Sequence, residues 1–122
     1  MIVTARRHLV TAEAVAGTDD VAMAFTAAYD ATRKALAVVL AVHGLRVRPV
    51  GGAHRNTGLA AAALMPAMAN VIAEFDWMRL IRNSTEYPED ARPEATLDDV
   101  REAIAAGGGI LEACALVVEA HR

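Results

Sequence analysis

One cysteine, one lysine and very few aromatic rings set this chain apart from several large functional classes. Cys114 alone can close no intrachain disulfide and build no cysteine-based zinc site, so a reducing cytoplasm is the expected setting. Aromatic residues make up 4% of a sequence that is 55% hydrophobic, so the interior has to be assembled from Ala, Val, Leu, Ile and Met. Strand-like alternation is missing and Ala-rich stretches abound, which favours helix. Also missing are Glu-x-x-His, histidines paired at helical spacing, a phosphate-binding Gly loop and a nucleophile elbow. No metal and no cofactor are therefore expected.

The charge balance excludes more. A formal net charge of −3 gives no global attraction to nucleic acid or to an anionic membrane, so any such binding has to be local. The start, MIVTARRHLV, lacks a basic region followed by an uninterrupted apolar core and does not read as a signal peptide. LAAAALMPAMANVIA carries Pro66 and Asn70 and falls short of the roughly 20 residues a spanning helix needs, so no membrane association is expected.

What is present is a set of helices with plain punctuation. At 122 residues the chain is long enough for one core, and one domain over 1–122 is expected. Ile2, Ala5, Leu9, Ala12 and Ala16 recur at helical spacing until Gly17, and Thr18, Asp19 and Asp20 offer N-cap oxygens to the next helix. That helix, about Val21 to His43, carries Phe25, Tyr29, Thr32, Leu36 and Val39 on one stripe and ends at Gly44. LRVRPVGGAHRNTG then reads as a loop, locally basic through Arg46, Arg48, His54 and Arg55. LAAAALM is a short helix leading to Pro66, which either starts a new helix or kinks a continuous one. A helical pattern runs from Ala67 to Tyr87, and Pro88 stops it. Thr96 to Asp99 reads as a capping box for a last helix from Leu97, in which Gly107, Gly108 and Gly109 are best explained by close approach of another helix or by a bend. The fold class is all-α, a bundle of four or five helices.

The stretch LIRNSTEYPED, residues 80–90, is the chemical singularity. Met68, Val71, Ile72, Phe75 and Met78 share one helical face, which continues as Arg79, Arg82 and Glu86. Trp77, Leu80 and Ile81 lie on the other side, and a helix apolar on two faces in so small a protein suggests a second subunit. Arg82, Asn83 and Tyr87 offer a guanidinium suited to phosphate, an amide and a phenol. The plain alternative pairs Arg82 with Glu86 or near Asp76 on a solvated face, with Asn83 and Tyr87 closing the helix. For His54 the plain alternative is a solvated loop residue, against a phosphate-contacting or catalytic group beside Arg55. Cys114 reads as a packed small hydrophobe, and Tyr29 and Asp30 as core and surface.

The long helix AAYDATRKALAVVLAVHGLRVR, the segment GGAHRNTG and the helix ending RNSTEYP together resemble a small single-domain HEPN protein over about residues 1 to 118. The resemblance implies a helical bundle that dimerises, with the two motifs facing each other across a cleft. It also implies a place in toxin–antitoxin or defence-type systems, either as a metal-independent endoribonuclease or as an inactive partner of a nucleotidyltransferase. Carried over, Arg82 matches the motif Arg, Asn83 its polar residue, and Tyr87 stands where His is expected. A phenol titrating near 10 is a poor base at neutral pH where an imidazole near 6.5 is a good one. The expectation is thus a weakly active or silent HEPN component acting as an interaction partner. An active endoribonuclease with a Tyr-variant motif is the alternative. Arg82, Asn83 and Tyr87 are the candidate catalytic residues, with Arg79, His54 and Arg55 as binding residues. A homodimer, RNA, and a nucleotidyltransferase or other protein are the candidate partners.

Overall fold

The computed structural model describes residues 2–48, 51–86 and 95–121, with the backbone alone at Thr85 and Glu86. Among these residues every regular element is helical: α1 (Ile2–Ala16), α2 (Val21–Val42), α3 (Ala53–Leu64), a 3₁₀ turn (Pro66–Met68), α4 (Ala69–Ile72), α5 (Glu74–Glu86) and α6 (Leu97–Ala120). The all-α bundle read from the sequence is what forms. α2 is its axis, packing most extensively against α1 and α6 and touching α3 and α5 on its other flank.

The ends of the helices follow from local chemistry. Asp20 caps α2, its Oδ1 accepting from the Met23 N–H at 3.0 Å. The capping box closes reciprocally at α6: Asp99 N–H donates to Thr96 Oγ1 at 3.1 Å and Thr96 N–H to Asp99 Oδ2 at 2.9 Å. The predicted stripe of α2 is fully buried, with Phe25, Tyr29, Thr32, Leu36 and Val39 all at 0% exposure. The close approach expected at the three glycines occurs at Gly107, where a Cβ would sit 2.6 Å from Thr32 Oγ1. Cys114 is buried as expected, and burial pushes its thiol up to about 12. Among the described residues α6 is the one single helix long and apolar enough to qualify as a spanning helix by length and composition, and here it packs against α2 and α1.

Three expectations need correction. The loop drawn through Gly58 is shorter: α3 begins at Ala53, so His54 and Arg55 stand on a helical first turn. Gly58 is tolerated inside that helix because the Phe75 ring occupies the space of its missing side chain, with Cδ2 only 2.9 Å from where a Cβ would be. The pattern from Ala67 onward is not one helix. Pro66 starts a 3₁₀ turn, and the hydrogen-bond step tightens at Ala73, where Ala73 N–H reaches Ala69 O but Asp76 N–H reaches back only to Ala73 O. From α3 to the segment after Pro66 the chain turns by 115°. Finally, the second apolar face of α5 is largely covered within the chain itself. Trp77 meets Phe25 edge-on at 6.3 Å and Ile81 packs on the core, leaving Leu80, 43% exposed, as the open residue.

Candidate functional site

Tyr29 is the pivot around which the charged residues gather. Its ring stacks on Phe75 of α5, centroids 5.1 Å apart and nearly parallel, and the Arg82 guanidinium carbon lies 5.7 Å from its centroid. Its hydroxyl reaches His54 Nδ1 at 2.8 Å. Burial pushes the phenol up to about 12, against the opposing pull of Arg82, Arg33 and Arg79 and with a small push from Asp30. The phenol therefore keeps its proton at neutral pH. A buried O–H needs an acceptor, and His54 Nδ1 supplies it. This hydrogen-bond network assigns the neutral tautomer of His54 in which Nε2 carries the hydrogen. Burial first, and then the Arg33 and Arg82 charges, hold the imidazole below its usual 6.5; Asp30 opposes and Arg79 adds to them.

His54 belongs to a polar cleft of about 590 Å³, formed by the α3 start at 51–53 together with Arg55, Arg79, Arg82 and Asn83. Among the described residues that line it there is no carboxylate. Arg79 is held at its edge by Asp76, whose Oδ1 accepts from Nη2 at 3.0 Å and from Nε at 3.2 Å. Gly52, with φ at 82°, delivers the chain into α3 without a side-chain cap, and the first turn of α3 has no acidic residue. The helix presents its positive end and its unsatisfied N–H groups to the same space as the guanidinium groups. Such a set of donors is suited to a phosphate. Neither Tyr29 nor His54 is a good base here, since Tyr29 is protonated and the one basic nitrogen of neutral His54 already receives the Tyr29 hydrogen. Among the described residues no three His, Cys, Asp or Glu side chains converge as metal ligands would.

Of the residues singled out in the sequence, Arg79, Arg82, Asn83, His54 and Arg55 come together in this cleft. Tyr87 lies outside the described residues, and so do any pairing of Arg82 with Glu86 and any contact of Asn83 with Tyr87. It is Arg79, not Arg82, that pairs with Asp76. His54, read as a loop residue, is half-buried and hydrogen-bonded. The part played by Tyr29 beyond core packing escaped sequence reasoning, as did Arg33, whose charge acts on both Tyr29 and His54. The available signal was their spacing: Tyr29 and Arg33 are four apart on α2 and so share a face.

The depressed His54 value has a consequence for stability. The unfolded chain takes up a proton on lowering pH through 6.5 while the folded site does not, so this contribution is fully present above 6.5 and is lost as pH falls toward the folded value. Urea denaturation across pH 5 to 7 is expected to show stability falling below 6.5, and His54→Asn is expected to flatten that part of the profile. An unchanged profile in the variant would mean that burial and the arginine neighbours do not hold the imidazole neutral.

Comparison with known proteins agrees with this architecture. No curated protein and no solved structure gives a significant match to the chain. The family model described as HEPN domain matches residues 1–117, an extent that takes in α1 through most of α6 and every residue of the cleft, and the chain therefore belongs to the HEPN domain family.

Proposed function

We propose that this HEPN domain binds the phosphodiester backbone of RNA in the Arg79–Arg82–His54 cleft and serves in a toxin–antitoxin or defence-type system, weakly active or silent as a nuclease. The observation that carries this reading is the convergence of Arg79, Arg82 and neutral His54 on one cleft, with Tyr29 engaging the His54 nitrogen that a general base would use. A phosphate entering the cleft meets donors, whereas among the described residues lining it a ribose hydroxyl finds no free proton acceptor. Arg82 can still stabilise charge on phosphorus, which by itself supports slow turnover at most. Two copies placing their clefts together would enlarge the site, and exposed Leu80 on α5 offers an apolar contact for such a homodimer in the cytoplasm. A nucleotidyltransferase or another protein is the further partner such a quiet component would control. The second reading, a metal-independent endoribonuclease, is favoured by one feature: Arg82 and Asn83 stand side by side near the end of α5, as the ribonuclease motif requires.

The test is incubation of the purified protein with labelled RNA in EDTA, following binding and cleavage together. Binding that weakens with salt and little cleavage are expected. Arg82→Ala should lower affinity about tenfold or more, the worth of a charge-assisted hydrogen bond, measured at a temperature where the variant remains folded. Unaltered affinity in that variant would sink the proposal. Rapid wild-type cleavage that disappears with Arg82→Ala would move the assignment to the second reading, and cleavage gained by Tyr87→His would mark an inherited nuclease scaffold.

A further inference from the structure

We propose that the groove sharing Ala53 and His54 with the phosphate cleft is a nucleobase subsite, so that the RNA is held by a phosphate at Arg79 and Arg82 and by an unstacked base against Leu40, Leu45 and Val47. The inference rests on the phosphate reading above and adds to it what lies beside the phosphate.

The wall of this groove is made by the way α2 stops. Gly44 takes φ of 72°, its N–H bonds Ala41 O at 2.9 Å, and the Leu45 N–H bonds Leu40 O at 2.8 Å. This is the paired 5→2 and 6→1 closure in which the residue after the glycine folds back on the last turn of its helix. Leu45 is thereby brought beside Leu40, and both line the groove with Val47, while Arg33 and Arg46 supply its polar edge. The space is about 560 Å³, within the range of roughly 300–1,000 Å³ typical of small-ligand sites.

Charge separates this groove from an ordinary surface fold. The chain has 15 acidic against 12 Lys and Arg residues, yet among the described residues the groove and the phosphate cleft are lined by Arg33, Arg46, Arg55, Arg79, Arg82 and His54 and by no carboxylate. Asp30 and Asp76 steady Arg33 and Arg79 without lining either space. Aliphatic walls with planar guanidinium groups at the edge are a surface on which a base can stack without regard to its identity. His54 lines both spaces and stands where base and phosphate would join. A smaller recess of about 280 Å³ between Gly58 and Phe75 shares only Arg55 with the phosphate cleft and has no such continuity. A base can enter the groove only if it is out of a duplex, so a single strand is required.

The experiment compares three fluorescent probes by anisotropy: a ten-nucleotide single-stranded RNA, the same strand with abasic positions throughout, and a blunt duplex of the same sequence. Wild type is expected to bind the single strand about tenfold more tightly than the abasic strand or the duplex. Leu45→Gln and Arg46→Ala, both at exposed positions, should erase the difference between the single strand and the abasic strand while leaving abasic affinity in place. Arg82→Ala should weaken both. Equal affinity for intact and abasic strands, duplex binding as tight as single strand, or full base dependence in both groove variants would overturn the subsite while the phosphate reading stands. Failure of wild type to bind any probe would overturn the phosphate reading, and the subsite with it. A melting curve on each variant shows that the fold is kept, and the two groove variants perturb the site independently.

Discussion

Phe75→Ala is expected to destabilise the protein by about 3–5 kcal/mol and to weaken RNA binding in the same variant. The ring is 2% exposed, lies parallel to Tyr29 at 5.1 Å, and fills the space above Gly58. Its removal leaves a cavity bordered on one side by the α3 backbone, which has no side chain at Gly58 to swing into the gap. Tyr29 loses its stacking partner, and the phenol that fixes the His54 tautomer and lies under Arg82 is released. Urea denaturation measures the first effect and RNA anisotropy under folding conditions the second. Phe75→Leu separates them, since it keeps much of the buried volume and loses the flat ring. If Phe75→Leu bound RNA as wild type does, the stack would be packing alone. A loss below about 1 kcal/mol in Phe75→Ala would show that the site collapses freely and that the ring does not support the cleft.

Gly107→Ala is expected to be destabilising by about 1–3 kcal/mol, although alanine is intrinsically the better helix former by about 1 kcal/mol. The sign is decided by tertiary contact. A methyl at residue 107 would stand 2.6 Å from Thr32 Oγ1, and Thr32 is fully buried with its hydroxyl donating to Ala28 O at 2.9 Å. Moving Thr32 aside breaks that bond, and moving α6 opens the contact with α2. The neighbouring glycines provide the control. A Cβ at Gly108 meets Leu9 at 3.9 Å and one at Gly109 meets Val71 at 3.7 Å, both ordinary contacts. Gly108→Ala and Gly109→Ala should therefore stabilise by up to about 1 kcal/mol. Thermal or urea denaturation of the three single variants reads the contrast, and a stabilising Gly107→Ala would show that α2 and α6 are not in tight register there. In the double variant with Thr32→Ala the clash is absent, so the Gly107→Ala penalty should shrink.

The site was partly legible before folding. Arg82 and Asn83 stood out because they put a charged, amide-bearing end on an apolar helix, and His54 because it sat among arginines. Tyr29 looked like any aromatic on a buried stripe. Nothing in the spacing of α2 says that its hydroxyl meets a residue 25 positions later, because that contact depends on α3 folding back against α2. Gly58 misled for a related reason. Its cost inside a helix is local and visible in the sequence, whereas the ring that makes the missing side chain useful belongs to another element.

By itself the sequence determined the helical class, a cap for α2 among Thr18, Asp19 and Asp20, the capping box at Thr96, the stop at Gly44 and the buried stripe of α2. Each of these depends on residues within one or two turns of one another, where backbone hydrogen bonding and side-chain periodicity act directly. Tertiary structure alone decided that Gly107 is a contact point with Thr32, that the second apolar face of α5 is mostly covered from within, and that five arginines and His54 line two adjoining spaces. Those outcomes rest on which helix faces meet across long stretches of chain, and burial and Coulomb interaction follow separation in space, which neighbourhood in sequence does not record.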